Sequence, residues 1–249
     1  MDSIEVIVAH AERATLRVGD MFVKIDADAA RSEREARAMA LAPLPTPPIR
    51  WHQPPVLAIE MVRGTALGVL GEPSTASRAA WTATGASIRR MHDAPLPPWP
   101  GAAVADVSAE LARECAWLRG NAVLPAEVID RNQAIAEMAL RPWKPAFIHG
   151  DLQITHVFVD GDEVTGVIDW SEAAPGDPMF DLAILTLGHE ECLDDLLAGY
   201  GEDDVDRSVI RGWWSFRSLT AARWLIEHGF DPDAAGCEFD VLRARMLDR

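Results

Sequence analysis

The sequence predicts an α+β protein with two lobes, a small β-rich N-lobe and a larger, mainly helical C-lobe. Apolar residues alternate with a period of two over much of the first 64 residues, which hold only one helical stretch. Beyond them, apolar residues recur mostly at helical spacing. We therefore expect residues 1–64 to form the N-lobe and residues 65–249 the C-lobe.

The N-lobe is predicted to contain four strands and one helix. The strands are expected over residues 3–9, 15–18, 21–25 and 56–62. A two-residue turn, Gly19-Asp20, joins the second strand to the third. Residues 29–41 are rich in Ala, Arg and Glu, which favours a helix. Four prolines between positions 43 and 48 end that helix and predict a stiff connection.

The C-lobe is predicted to be helical apart from one hairpin. Helices are expected over residues 76–92, 106–119, 125–140, 179–199, 206–228 and 238–247. A proline-rich connector, residues 95–100, separates the first two helices. Residues 146–170 contain two short apolar strands, which are joined by the turn Asp160-Gly161-Asp162-Glu163.

The composition argues against nucleic-acid binding and against a membrane-spanning segment. The net charge of −16 argues against nucleic acid, since a binder must offset phosphate charge with Lys and Arg. The same acidity permits a cationic partner, although it also serves solubility. No apolar segment is long enough to span a membrane. The three cysteines are widely spaced, which indicates free thiols. We expect a cytoplasmic monomer or weak dimer.

Two carboxylates flank the predicted hairpin. Residues 147–159 read Phe-Ile-His-Gly-Asp-Leu-Gln-Ile-Thr-His-Val-Phe-Val, so Asp151 lies in a loop just after an apolar run. Asp169 follows the second strand of the hairpin, in the run Val-Ile-Asp-Trp. A kinase-type phosphotransferase builds its site in this way: one Asp orients the attacking hydroxyl, and another holds Mg²⁺ against the nucleotide phosphates.

These residues resemble the catalytic loop of the aminoglycoside phosphotransferase family, His-Gly-Asp-Leu-x-x-x-Asn, with Ile-Asp-Trp in the place of the protein-kinase Asp-Phe-Gly. Residues 176–183, Gly-Asp-Pro-Met-Phe-Asp-Leu-Ala, resemble the family's continuation. The resemblance covers nearly the whole chain, although its specific motifs lie mostly in 147–183. It implies a protein-kinase-like fold, ATP or GTP as co-substrate, and Mg²⁺ as cofactor. It also implies that Asp151 is the catalytic base and Asp169 the principal Mg²⁺ ligand.

Two positions depart from the family pattern. His156 stands where most members carry Asn, the second Mg²⁺ ligand; members that phosphorylate macrolides have His there. Imidazole suits other metals better than Mg²⁺, so His156 either ligates the metal or hydrogen-bonds the catalytic loop or a phosphate. The predicted nucleotide loop, residues 9–14, contains no glycine, the residue that normally lets backbone amides approach phosphates.

The resemblance also implies the remaining nucleotide contacts. Lys24 ends the third strand, where the family's lysine pairs with the α- and β-phosphates. Its partner is a Glu on the following helix. Glu33 and Glu35 both qualify, and Glu35 is preferred because apolar residues follow it as in the family. The carbonyl of Glu60 and the N–H of Val62 are the expected hinge contacts to the base.

Support and substrate residues complete the predicted site. His149 is interpreted as a scaffold residue whose ring ties the catalytic loop to neighbours such as Asp181. Eight carboxylates lie between Thr186 and Asp206, and no Lys or Arg lies between them in the sequence. They are either a solvated surface or a funnel for a cationic substrate. The candidate substrate contacts are Glu190, Glu191, Asp194, Asp195 and Trp170.

The predicted function is O-phosphorylation of a hydroxylated antibiotic. The acidic run favours a cationic one, an aminoglycoside or a cyclic peptide of the viomycin and capreomycin type, and His156 favours a macrolide. A metabolic kinase of the same fold, acting on choline, homoserine or a sugar, is a further alternative. The glycine-free loop and His156 also leave open a non-catalytic nucleotide-binding module.

Overall fold

A five-stranded antiparallel sheet forms the N-lobe of the computed structural model, which describes residues 4–229 and 238–244. Its strands lie in the order β1-β2-β3-β5-β4. Their bounds are β1 Ile4–Ala9, β2 Arg13–Val18, β3 Met21–Asp26, β4 Ile49–Gln53 and β5 Val56–Glu60. One helix, α1 (Ala29–Leu41), packs against β3 and β5. Asp28 caps it, because its carboxylate accepts a hydrogen bond from the Ala30 N–H.

Strand β4 was not among the predicted elements. The prolines of 43–48 indicated a stiff connection, but the chain after them pairs with β5 and forms the sheet edge. The strand is short, and its pattern does not alternate clearly, so its formation depends on the neighbouring strand.

The C-lobe is mainly helical, as predicted. Its helices are α2 Arg78–His92, α3 Val104–Gly120, α4 Ala126–Glu137, α5 Pro178–Thr186, α6 Leu193–Tyr200, α7 Arg207–Glu227 and α8 Glu238–Ala244. The single helix expected over 179–199 is wrong: α5 ends at Thr186, and Gly188 has a positive φ of 75°. This break allows residues 187–191 to form a wall of a cleft. The predicted residues 245–247 of the last helix lie outside the described residues.

Two small sheets place the segments that carry Asp151 and Asp169 at the junction of the lobes. Strands β8 (Val157–Asp160) and β9 (Glu163–Val167) form the predicted hairpin, and β6 (Thr65–Ala66) pairs with β8. Strand β7 (Ala146–Ile148) pairs with β10 (Ala174–Gly176). The segment between β7 and β8 carries Asp151, and the segment between β9 and β10 carries Asp169.

The core of the C-lobe surrounds α7, which contacts α3, α4, α5 and α8. Trp213, Trp214 and Phe216 of α7 are buried, so burial of their aromatic rings contributes to the packing. None of the described helices is long and apolar enough to cross a membrane.

Candidate active site

The catalytic loop is fixed by its backbone. Asp181 of α5 is fully buried, and its two carboxylate oxygens accept from the N–H groups of His149 (2.7 Å) and Gly150 (2.9 Å). Gly150 has a φ of 82°, and a side chain there would collide with the carbonyl of Glu172. The loop before Asp151 is therefore held in one conformation. The expectation that the His149 ring ties the loop to Asp181 is wrong, because Asp181 binds the backbone N–H of His149 and not its ring.

His149 has a defined protonation state. Its Nδ1 accepts from the Asp151 N–H at 3.3 Å, so its Nε2–H donates to the carbonyl of Ile168 at 2.9 Å. Complete burial lowers the pKa of His149, which keeps the ring neutral. The ring thus connects the Asp151 loop to the residue preceding Asp169, in agreement with its expected scaffold role.

The Asp151 carboxylate is bound by two side chains. Arg217 of α7 donates to it at 3.0 Å, and the Gln153 amide donates at 3.1 and 3.2 Å. Burial opposes ionisation of Asp151, but the charge of Arg217 and that of His156, together with Gln153, outweigh burial and lower its pKa. Asp151 is consequently ionised at neutral pH and can accept a proton.

Asp169 lies at the junction of the two lobes. Its φ of 65° and ψ of 59° are left-handed, a conformation that non-glycine residues rarely adopt outside functional or turn positions. Lys24 contacts its Oδ1 at 2.9 Å, and Arg13 contacts Oδ1 and Oδ2 at 3.0 and 3.1 Å. Burial opposes ionisation, but Lys24, His156 and Arg13 outweigh it and hold the pKa of Asp169 far below its usual range.

Lys24 and Glu35 form a buried ion pair between β3 and α1. The distance from Lys24 Nζ to Glu35 Oε1 is 2.5 Å, and Glu35 is only 3% exposed. Glu33 instead points to His52, at 4.0 Å, and is exposed. The preference for Glu35 as the Lys24 partner is confirmed. Lys24 also binds Asp169, so Glu35, Lys24 and Asp169 form a chain of three charged groups.

The hinge residues lie between β5 and β6. Glu60 ends β5, and its carboxylate forms a salt bridge with Arg50 of β4. The Met61 N–H donates to the carbonyl of Asp20 at 2.8 Å, whereas within 4–229 and 238–244 the Val62 N–H meets no backbone acceptor. This arrangement is compatible with base recognition by Val62, which stays a prediction along with the Glu60 contact.

His156 is anchored to the catalytic loop. Its Nδ1 donates to the carbonyl of Asp151 at 2.7 Å, which leaves Nε2 as the ring position for another ligand. The loop hydrogen bond that the sequence left open is therefore formed, and metal ligation by Nε2 stays a prediction.

The donor set fits Mg²⁺ held mainly by its substrate. In the described part of the chain, no three His, Cys, Asp or Glu side chains form a ready-made metal centre. Asp169 supplies an ionised pair of hard oxygens, and Mg²⁺ usually takes one or two carboxylates together with phosphates and water. Asp169, with His156 beside it, would hold the ion.

The C-lobe cleft, about 490 Å³ in volume, opens beside the Asp151 loop. Gln153 and Arg217, the two side chains bound to Asp151, line it. The other described lining residues are Leu70, Gly71, Glu72, Pro73, Ile184, Leu187, Gly188, Glu190, Glu191, Asp240, Val241 and Ala244. Four of these carry carboxylates, and Arg217 is the single base among the described lining residues. The cleft is acidic overall, with several apolar side chains in its walls.

Only part of the acidic run lines this cleft. Glu190 and Glu191 do, whereas Asp194 and Asp195 are absent from its described walls. Arg207 binds Asp194 at 2.6 Å, and Arg78 binds Asp195 at 2.8 Å. Arginines from other elements pair with Asp194 and Asp195, which favours a surface role over the substrate contact expected for them.

The side chain of Trp170 is not accessible to a substrate, in contrast to the expectation from the sequence. Its side chain is fully buried, and its ring packs against Phe147 and His149. The indole N–H donates to the carbonyl of Val167 at 2.8 Å. Trp170 therefore supports the loops that carry Asp151 and Asp169 from inside the core.

Sequence reasoning missed Arg13, Arg217 and His92. Each lies far along the chain from its carboxylate partner: Arg13 from Asp169, Arg217 from Asp151, and His92, whose Nε2 lies 3.1 Å from Asp181. An isolated arginine or histidine on a strand or helix carries no local signal of such a partner. Only the packing of the lobes could have identified these residues.

Comparison with known proteins agrees with this architecture. The family model of the phosphotransferase enzyme family matches residues 5–213. A structure of macrolide 2'-phosphotransferase type I is 20% identical, with a TM-score of 0.68, and the match covers 97% of this chain and 90% of that one. Two further structures are similar. A choline/ethanolamine kinase family protein from Mesorhizobium loti is 19% identical, with a TM-score of 0.69 over 99% of this chain and 86% of that one. The aminoglycoside phosphotransferase APH(3'')-Id from Streptomyces rimosus is 22% identical, with a TM-score of 0.66, and the match covers 87% of this chain and 92% of that one.

The fold and the site together define a kinase-like phosphotransferase. The chain belongs to the phosphotransferase enzyme family, whose model matches most of its length. The predicted kinase-like α+β fold and the predicted family are both confirmed.

Proposed function

We propose that this protein transfers the γ-phosphate of ATP or GTP, with Mg²⁺, to a hydroxyl group of a cationic antibiotic. An aminoglycoside or a cyclic peptide of the viomycin and capreomycin type is the first candidate. The observation that carries the proposal is the arrangement of Asp151 and Asp169 around one junction, with the Lys24–Glu35 pair reaching Asp169. Division of the chain at residue 64 and a cytoplasmic monomer or weak dimer belong to the same proposal.

The mechanism follows from the charges of the two carboxylates. Asp151, which is held ionised, accepts the proton of the acceptor hydroxyl while that oxygen attacks the γ-phosphorus. The bond from the γ-phosphorus to the bridging oxygen breaks, and the nucleoside diphosphate leaves. Mg²⁺, when bound beside Asp169, offsets charge on the phosphates. Lys24, oriented by Glu35, supplies further positive charge to the same groups.

The charge of the C-lobe cleft supports a cationic acceptor. Glu72, Glu190, Glu191 and Asp240 line the cleft, and clustered carboxylates raise the local concentration of cations. Asp240 contributes less to this field, because Arg243 pairs with it at 3.3 Å. Arg217 lies at the end of the cleft that meets Asp151. We therefore place the amino groups of the acceptor near the glutamates, and its reacting hydroxyl near Asp151 and Arg217.

A macrolide is the second candidate. Leu70, Ile184, Leu187 and Val241 give the cleft apolar walls, and a macrolide combines one basic amine with a large apolar ring. His156, which resembles the residue of macrolide-modifying members, favours the same class. A purely polar aminoglycoside would leave these walls without complementary contacts.

One assay separates these candidates from the alternatives. The purified protein is incubated with Mg²⁺ and ATP or GTP labelled at the γ-phosphate, and with an aminoglycoside, capreomycin, a macrolide, choline or homoserine. We expect label transfer to one antibiotic class and loss of transfer in Asp151→Asn. Transfer only to choline or homoserine would make the protein a metabolic kinase, and nucleotide binding without transfer to any hydroxyl would make it a non-catalytic module.

A further inference from the structure

The Arg13 side chain binds three residues at the lobe junction, Asp26, Asp169 and Ser171. Its Nη1 donates to both oxygens of Asp169, and its Nη2 donates to Ser171 Oγ at 3.1 Å. Its Nε donates to Asp26 at 3.3 Å, and the side chain is 10% exposed. A guanidinium thus lies against the carboxylate that the proposed function assigns to Mg²⁺.

The anchor of Arg13 is independent of Asp169. Arg13 and Asp26 face each other across the β2–β3 ladder, and Asp26 is 8% exposed. Asp26 also lies 3.8 Å from Arg31 of α1 and accepts from the Asp28 N–H at 3.0 Å. The Nε end of the guanidinium is therefore fixed to the N-lobe, and only its terminal nitrogens bind residues of the C-lobe.

The backbone of the adjacent loop is already engaged. The His10 N–H donates to the carbonyl of Arg13 at 3.0 Å, and the Glu12 N–H donates to the His10 ring at 3.3 Å. The loop contains no glycine that would let the backbone approach a phosphate closely. Phosphate binding by backbone amides, the usual function of such a loop, is therefore unavailable at these two positions.

We propose that Arg13 is a second phosphate-binding residue of the N-lobe, beside Lys24, and takes the place of these amides. This inference rests on the proposed function, because it presumes a nucleoside triphosphate at the lobe junction. Guanidinium binds phosphate oxygens in the same forked geometry as it binds a carboxylate. With Nε held by Asp26, the terminal nitrogens exchange Asp169 for the β- and γ-phosphates when nucleotide enters.

Binding measurements without turnover test this role. Arg13→Gln removes the charge and keeps much of the side-chain volume. Affinities for adenosine, ADP and a non-hydrolysable ATP analogue are measured by calorimetry with Mg²⁺ present. We expect Arg13→Gln to bind the ATP analogue about tenfold or more weakly than the wild type does. The loss of affinity should be smaller for ADP and absent for adenosine, because the charge-assisted hydrogen bonds of Arg13 contribute only to phosphate binding.

Arg17→Gln is the matched control. Arg17 lies on the same strand but is 44% exposed, and it binds Gly19 O and Glu5 away from Asp169. Its affinities should stay within about twofold of the wild type. Arg13→Lys, a milder change that keeps the charge, should lose part of the affinity, because an ammonium cannot bind in a forked geometry.

The outcomes distinguish the two proposals. Equal or tighter binding of the ATP analogue by Arg13→Gln would overturn the role of Arg13 and leave it as an internal counter-ion of Asp169. If Arg13→Gln does not fold, wild-type affinity in Arg13→Lys overturns it instead. If the wild type binds nucleotides through their phosphates but phosphorylates no antibiotic, only the proposed function is rejected. If the wild type binds no nucleotide, both proposals are rejected.

Discussion

Asp151 and Asp169 are both partly buried carboxylates that neighbouring basic side chains keep ionised. Arg217 and His156 act on Asp151, and Lys24, His156 and Arg13 act on Asp169. These basic residues matter individually, because the residues around each carboxylate determine its chemical role. Asp151 keeps its proton-accepting form at low pH, and Asp169 keeps its hard, negatively charged oxygens.

Replacement of Asp151 tests its role as the proton acceptor. Asp151→Asn should lower kcat by roughly 10²–10⁴, because an amide cannot take the hydroxyl proton. Nucleotide affinity should change little, because Asp151 binds Gln153 and Arg217 rather than the Lys24–Glu35 pair. Steady-state kinetics and calorimetry measure the two effects. A variant with more than a tenth of the wild-type kcat would contradict the assignment.

Removal of Arg217 should shift the pH dependence. Ionised Asp151 is the active form, and activity is lost as pH falls through its pKa, which Arg217 helps to lower. Arg217→Gln should therefore move the acid limb of the kcat/KM profile to higher pH, while activity on the alkaline side of that limb is kept. The profile is measured between about pH 4 and 8.

Arg223→Gln provides the control for this shift. Arg223 lies on the same helix as Arg217, but it pairs with Glu227 at 2.8 Å on the exposed side. Its profile should coincide with that of the wild type. If both variants shift alike, the effect arises from the net charge of the helix and not from contact with Asp151.

At the scale of elements, the position of α1 relative to β3 determines whether Lys24 faces Asp169. The Lys24–Glu35 pair joins the helix to the sheet, and Arg31 of the same helix binds Glu172 of the C-lobe at 2.6 Å. The helix therefore connects the N-lobe sheet to the segment that follows Asp169. A change in its position would displace the charges on both sides of the site.

Glu35→Gln and Glu33→Gln form a pair of variants that tests this coupling. Glu35→Gln should lower kcat/KM by roughly tenfold to a hundredfold, because displacement of a positioning group by about 1 Å can cost up to 10²-fold. Glu33→Gln should have almost no effect, since Glu33 is exposed and lies 4.0 Å from His52. Steady-state kinetics with one acceptor compare them. Equal losses in both variants would show that the charge of α1, rather than the ion pair, is responsible.

At the scale of the whole molecule, the net charge of −16 is distributed unevenly. Arg78 and Arg207 neutralise Asp195 and Asp194, while Glu190 and Glu191 line the C-lobe cleft with Glu72 and Asp240. The run between Thr186 and Asp206 is thus divided between a solvated, paired surface and a cleft wall. The paired part agrees with the interpretation as a solvated surface, and the interpretation of the cleft wall as a funnel for a cationic substrate stays a prediction.

This division predicts different effects of two double variants. Glu190→Gln/Glu191→Gln should raise KM for a cationic acceptor by roughly two- to tenfold, as expected for exposed charges. Asp194→Asn/Asp195→Asn should leave it nearly unchanged, because these carboxylates are paired outside the cleft. Higher ionic strength should raise the wild-type KM and reduce the difference, since charges are screened beyond ~8 Å at physiological salt.

Kinetics over a range of salt concentrations check this prediction. The KM for nucleotide serves as an internal control, because the glutamates do not contact Lys24 or Asp169. Equal KM values in the two double variants, or no dependence on salt, would indicate that the acceptor is neutral at this wall. A macrolide or a metabolic substrate would then replace the polar cationic antibiotics.

Elements with local signals could be predicted from the sequence. The period-two strands and the hairpin before Asp169 are found in the structure, because backbone conformation follows from neighbouring residue types and their spacing. The resemblance to the family gave the His-Gly-Asp loop and the choice of Glu35 over Glu33, and the structure contains both. The nucleotide hinge and metal ligation by His156 stay predictions.

The partners of these residues follow from the packing of the lobes. Arg13 and Asp169 are 156 positions apart, and Arg217 and Asp151 are 66 apart, so no local pattern indicates either pair. The same holds for the burial of Trp170 and the neutralisation of Asp194 and Asp195. Their outcome depends on how lobes and helices pack, because packing fixes which distant charges and surfaces meet.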